Sequence, residues 1–448
     1  MKRDAIDFES GQISVLFRKL LIPTLLGTLS MSAMTAIDGM IVGHGVGPIG
    51  VAAVNIVVPI YQLMSGLALM VGAGCSVVAS IHLSQGKLRV ARLNITQALV
   101  AAAAVATLIA ALIFANLEEV ALLLGASPTL LNHVVEYTEW LLPGFIFEMF
   151  GIIGLFIIRL DGAPRYAMWC NIIPAVLNAI LDWLFVFPLE MGVKGAGVAT
   201  GICMTLGGVM ALGYLLRASS RLHVVLPKMS LKSLRLSLRN VGYQCRVGAS
   251  SLMGELSLAV LIYIGNIVFM RYLGDDGVGA FGISCYYTPF FFMVGNAIAQ
   301  SAQPIISYNY GRQRLAEVAT TRRLLLLTSL LFGLIVAAMF VFMPELLVAL
   351  FVDSTTVAAQ IAIEGFPYYA LGVVFFILNV AIIGYYQSIE RVGRATLFVL
   401  LRGMVLIIPC FMLLPAWLGV KGIWLAMPTA EALTFMVVML VERRSQGR

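Results

Sequence analysis

The sequence predicts an all-α polytopic membrane protein: twelve transmembrane helices in two parallel six-helix repeats, an N-lobe and a C-lobe, around a central cleft. Three observations carry that expectation. Hydrophobic residues make up 60% of the chain and charged residues only 11%, whereas soluble domains are nearer a quarter charged. Twelve apolar stretches each approach the roughly 20 residues that a helix needs to cross a bilayer. The second half also repeats the first: "GVKGAGVAT" at 192 returns as "GVKGIWLAM" at 419, a shift of 227, and "EEVALLLGAS" is echoed by "PELLVALFVDS".

The apolar stretches centre near residues 31, 67, 105, 149, 176 and 206 in the first half and 257, 294, 332, 376, 404 and 431 in the second. Glycine, proline and charge separate them, as in "GHGVGPIG", "SQGKLRVAR", "RLDGAPR" and "YLGDDGVG". An even number of spans per repeat keeps both copies in one orientation, so the repeats are parallel and related by an axis along the membrane normal. The expected division is an N-lobe over 1–217, a cytoplasmic linker over 218–240 and a C-lobe over 241–448.

Basic residues set the direction. Of 29 Lys and Arg, Lys194, Arg271 and Lys421 fall on one side. The remainder collect in the N-tail, the even-numbered loops and the C-tail, which predicts both termini in the cytoplasm. The opposite loops hold acids such as Glu118, Glu119, Glu136, Glu139, Asp275 and Asp276. The charged start "MKRDAIDFESGQ" does not read as a signal peptide. The basic stretch Arg217 to Arg246 is expected to lie against anionic lipid rather than nucleic acid. The six cysteines are scattered through apolar segments and the four histidines show no ligand spacing, which points away from a metal site or a disulfide framework. A monomer in the lipid bilayer is expected.

Five acids fall well inside the spans: Asp38, Glu148, Asp182, Glu255 and Glu431. An intramembrane acid is costly and is a functional candidate for that reason. At 1.5 Å of rise per residue, Asp38 stands about 29 Å above Lys19 and Asp182 about 26 Å above Arg165, so the two share a level. Thr200 enters the sixth span near the same level. Asn171, Asn178 and Asp182 share one helical face through spacings of seven and four. Two carboxylates in one dry site cannot both ionise cheaply, so such a pair takes up a proton or a cation. Asn178 and Thr200 can donate to a carboxylate or offer oxygen to Na⁺. Asn171, deeper, could serve packing as well as function. Glu148, Glu255 and Glu431 come near mid-depth, where they could attract cationic substrates, and Met34 with neighbouring methionines could line an adaptable pocket.

The chain resembles the multidrug and toxic compound extrusion (MATE) family over roughly residues 14 to 440. The resemblance rests on "DGMIVGHGVGPIGVAAVN" ending span one, "RLDGAPRYAM" after span four, "LNAILD" in span five and "AQPIISYNYG" ending span eight. Its DinF-like bacterial branch is the nearest. The resemblance implies a coupling site at Asp38, Asn178, Asp182 and Thr200, and a bend in span one at Pro23 that follows protonation. That branch often carries a tyrosine one turn before the first aspartate, where this chain has Met34. Glu255 is similar to an acid in span seven of NorM-type members but stands about one turn early. Asn379 and Gln387 lie where other members hold polar groups.

The resulting expectation is a secondary antiporter of the bacterial inner (cytoplasmic) membrane. It would export small amphipathic compounds, cations among them, in exchange for H⁺ or Na⁺, with no other cofactor. No "GxxxxGK[ST]" motif is present to support direct use of ATP. A lipid or lipid-linked sugar flippase is the alternative; it would favour a cationic cleft, whereas the intramembrane charges read as acidic. An intramembrane enzyme would need a nucleophile and base converging within the spans, and no such set is visible.

Overall fold

The computed structural model describes residues 6–9, 11–219, 221–225, 231–352 and 354–446. Among them, twelve helices are long and apolar enough to cross a membrane, as the sequence predicts. In the first half these are α1 (Ile13–Gly45), α2 (Ile49–Ser84), α3 (Leu88–Ala115), α4 (Leu131–Leu160), α5 (Pro164–Val186) and α6 (Gly192–Ala218). In the second half they are α7 (Ser233–Gly274), α8 (Asp276–Gly311), α9 (Leu315–Phe342), α10 (Val357–Ser388), α11 (Val392–Leu418) and α12 (Val420–Glu442). Part of the expected linker, residues 226–230, lies outside the described residues, and a helix begins at Leu231.

The repeat is visible in the backbone. Gly192, which opens α6, and Gly419, which precedes α12, have φ of 60° and 59°. Gly47 and Gly274, between the first two spans of each half, have φ of 85° and 65°. Each pair is related by the same 227-residue shift as the "GVKG" motif. Left-handed φ is open to glycine at little cost and strained for other residues, which explains glycine at both copies of these tight reversals.

The chain forms two compact units. One comprises residues 1–252 with 307–315, the other residues 253–306 with 316–448. In the first unit α4 packs along α6, α1 along α5, and α2 along both α3 and α4. In the second, α12 packs along α10 and α11.

The α4–α6 contact is a seam of small residues. A Cβ on Gly144 would come within 3.0 Å of the Gly201 Cα, and one on Gly154 would come within 2.6 Å of the Ala211 Cβ. Gly208 lies against the backbone of Phe147. Lipid tails are as apolar as leucine, so membrane helices gain cohesion from close backbone packing, which small residues permit.

Asp161, in the "RLDGAPR" motif, anchors the chain leaving α6. Its Oδ2 accepts from the Tyr214 hydroxyl at 2.9 Å and the Ser219 hydroxyl at 3.1 Å, while its Oδ1 accepts from the backbone N–H groups of Arg221 and Leu222. Arg402, counted from sequence among the cytoplasmic basic residues, instead lies within α11 and is buried. The sequence signal was masked because Arg394 and Arg391 stand close by, so Arg402 reads as an extension of a basic loop.

Candidate functional site

The first unit brings five polar side chains together from four helices. Asp38 comes from near the end of α1, Asp182 and Asn178 from the last turns of α5, Tyr137 from the start of α4 and Thr200 from the first turns of α6. α1 and α5 end where α4 and α6 begin, so the side chains meet at one level of the unit. All five are buried, Asn178 and Asp182 completely.

The Asp38 and Asp182 carboxyl groups are immediate neighbours. A carboxylate only accepts, so a bond between two carboxyl groups requires that one carry a proton. Asn178 Nδ2 donates to Thr200 Oγ1 at 3.4 Å. The Tyr137 hydroxyl lies within hydrogen-bond reach of Thr200. Asp38 Oδ1, both Asp182 carboxyl oxygens and Asn178 Oδ1 are buried without a donor. Burying four such acceptor oxygens is costly unless a donor or a cation satisfies them.

Sequence reasoning missed Tyr137. It stands in "VVEYTEW", between Glu136 and Glu139, and those flanking acids make the segment read as the edge of a loop. The structure makes it the first turns of α4 instead. A Cβ on Gly197 would meet the Tyr137 backbone oxygen at 2.8 Å. Glycine there therefore lets α6 approach closely enough for Tyr137 and Thr200 to bond.

The other candidates lie elsewhere. Met34 is buried one turn before Asp38 on α1. Asn171 faces α1: its Nδ2 would be 3.1 Å from a Cβ on Gly27, so it occupies the α1–α5 contact. Pro23 is buried inside α1, which continues as a helix through it. Glu148 on α4 and Glu255 on α7 are partly buried.

Glu431 and Asn379 meet in the second unit, together with a residue not anticipated there. Glu431 Oε1 accepts from Arg402 Nε at 3.0 Å and Nη2 at 2.8 Å, and Oε2 accepts from Asn379 Nδ2 at 2.7 Å. The ion pair is buried on both sides, at 2% and 4% side-chain exposure. The expectation that the intramembrane charges are all acidic therefore needs correction: Glu431 is neutralised by Arg402. Burial of an acid in a membrane demands a partner, and here that partner sits on the neighbouring helix.

The twelve-helix architecture and the two halves have counterparts among known proteins. The MatE family profile matches residues 23–184 and 252–412, most of both halves. The multidrug export protein MepA of Staphylococcus saprophyticus is 22% identical over 94% of this chain and 91% of its own length. MepA of a Staphylococcus aureus strain is 19% identical over 97% of this chain and 94% of its own length. Among solved structures, an outward-facing multidrug resistance MATE family transporter of the MOP superfamily superimposes with a TM-score of 0.90 at 20% identity. It covers 99% of this chain and 98% of its own. A MOP superfamily transporter from Pyrococcus furiosus, described as having a binding pocket of reversed polarity, gives 0.90 at 19% identity with the same coverage. The residues of spans one, four, five and eight that suggested the MATE resemblance thus lie in a chain that belongs to the MatE family, a multi-pass membrane transporter and not an enzyme.

Proposed function

We propose that this transporter is a secondary antiporter that exports amphipathic organic compounds, cations among them, in exchange for H⁺ or Na⁺. The observation that carries the reading is the buried pair Asp38–Asp182, with unfilled acceptor oxygens on both residues and on Asn178. The names of the staphylococcal relatives, multidrug export proteins, support the exporter half of it.

In this mechanism a proton or Na⁺ settles between Asp38 and Asp182, with Asn178, Thr200 and Tyr137 completing the polar set. A charged carboxylate is tolerable when wet and costly when dry. The neutralised pair therefore favours a closed arrangement of α1 against α5, and the ionised pair an arrangement open to water. That difference in ion affinity between two states is what coupling requires, because equal affinity shifts nothing. The protein works as a monomer in the bacterial cytoplasmic membrane with both termini in the cytoplasm.

Everted vesicles test the coupling. Dye efflux driven by an imposed pH gradient, or by an imposed Na⁺ gradient, identifies the ion; efflux indifferent to both and dependent on ATP overturns the antiporter. For orientation, a cysteine at the exposed Asp276 should react with a membrane-impermeant maleimide in intact cells. Labelling only after permeabilisation reverses the topology. The flippase reading draws no support from Arg402, whose charge is already taken by Glu431.

A further inference from the structure

The segment before α1 ties distant parts of the first unit together. Ile6 lies over the turn between α4 and α5: a Cβ on Gly162 would stand 3.5 Å from the Ile6 Cβ. Phe8 is buried against the end of α8, its ring centroid 5.7 Å from that of Tyr308. Glu9 meets the turn that follows α8. Its carboxylate pairs with Arg312 Nη2 at 3.0 Å, and its backbone oxygen accepts from Arg314 Nη1 at 2.8 Å. The Arg312 guanidinium lies in turn over the Tyr308 ring. These residues thus reach from the α4–α5 turn to the end of α8.

α8 is divided between the two units: residues up to Ile306 belong to the second, and Ser307 onward to the first. Within the first unit its end packs against the end of α2. A Cβ on Gly311 would run into the Ser84 side chain and the Ile81 backbone. This contact has a polar lining. Ser76, Ser80 and Ser84 recur every four residues on one face of α2, and all are buried. Ser307 and Asn309 of α8 are buried as well. Ser80 Oγ has no hydrogen-bond partner. An apolar seam resists parting in proportion to the area that water would touch. A polar seam gains hydration when it parts, and Ser80 gains the partner it lacks. The fastening by residues 6–9 is releasable too. Glu9 and Arg312 are 54% and 36% exposed, and ion pairs so exposed hold weakly; Phe8 is the buried anchor.

A carrier opens its site to each side of the membrane in turn. We propose that residues 6–9 are a releasable strap. Fastened, they hold the end of α8 against Ser84. Unfastened in each transport cycle, they let that end part from α2 and admit water along the serine face. The proposal goes beyond the choice of coupling ion and is the same for H⁺ and Na⁺.

Two measurements test it. In the purified full-length protein in detergent, Ser84→Cys reports on the seam. Maleimide labelling at residue 84 is read by peptide mass spectrometry, so the native cysteines do not interfere. Labelling should be slow with the strap intact and about tenfold faster in a Phe8→Ala/Glu9→Ala background, the scale of one aromatic contact. Unchanged labelling, whether or not the melting temperature falls, makes the strap a structural staple and overturns the proposal. In everted vesicles, Glu9→Cys/Arg312→Cys is joined by a short reducible bis-methanethiosulfonate linker. Dye efflux should be lost on linking and return on reduction, while each single-cysteine variant, treated alike, keeps it. Undiminished efflux under complete cross-linking also overturns the proposal. Labelling needs neither gradient nor dye. If no gradient drives efflux in the unlinked protein, the antiporter reading fails and the labelling alone decides the strap.

Discussion

The carboxyl groups of Asp38, on α1, and Asp182, on α5, are buried neighbours, and neither Asp182 oxygen has a hydrogen-bond donor. Two acids this close and this dry are held together by whatever neutralises them. Asp182→Asn and Asp38→Asn each imitate the protonated side chain permanently. Both variants should express and insert normally, and gradient-driven efflux should fall at least about tenfold, since coupling free energies commonly correspond to factors of that size or more. Coupled efflux at wild-type rates in Asp182→Asn would falsify the assignment.

Tyr137 contributes a ring to the packed core and a hydroxyl to the cluster, and the two roles separate cleanly. Tyr137→Phe should keep the packed start of α4 and lose the bond to Thr200. Melting of the purified protein should barely change, while efflux drops roughly threefold to tenfold, the scale of one hydrogen bond. An equal loss of stability and transport would instead make the hydroxyl a structural group.

Removing one member of the Arg402–Glu431 pair leaves the other buried without a counter-charge. Glu431→Gln should destabilise the protein by about 3–5 kcal/mol. Replacing both residues by methionine, which fills similar volume without charge, should recover most of that loss. Thermal melting in detergent compares the three proteins; a double variant less stable than the single would show that the pair stabilises the fold on balance.

Pro23 has no N–H to donate to the preceding turn, so α1 is weakest there. Pro23→Ala restores the missing bond. The variant should be as stable as wild type or more so, and slower in transport if α1 flexes at this point. Normal expression with full efflux would remove the bend from the mechanism.

The fold was legible because the bilayer reads length and polarity, and both are local properties. Twelve apolar stretches and the "GVKG" repeat led to the twelve helices. The level shared by Asp38 and Asp182 was legible for the same reason: rise per residue converts position into depth once an end is anchored by Arg18, Lys19 or Arg165. What stayed hidden was pairing between helices. Glu431 and Arg402 are 29 residues apart, and nothing in either span names the other. Tyr137 was missed because depth was counted only for acids and their immediate neighbours, and a tyrosine flanked by Glu136 and Glu139 draws attention to its neighbours' charge.

The glycine seam between α4 and α6 has a mechanical consequence. Contacts made by backbone against backbone, as at Gly144 with Gly201 and Gly208 with Phe147, leave no compliant side chains to absorb sliding, and close-packed interiors transmit strain rather than deform. Tyr137 and Thr200, one on each of these two helices, are therefore held in a common rigid frame, and a substitution that enlarges Gly144 or Gly208 should disturb the polar cluster without touching it.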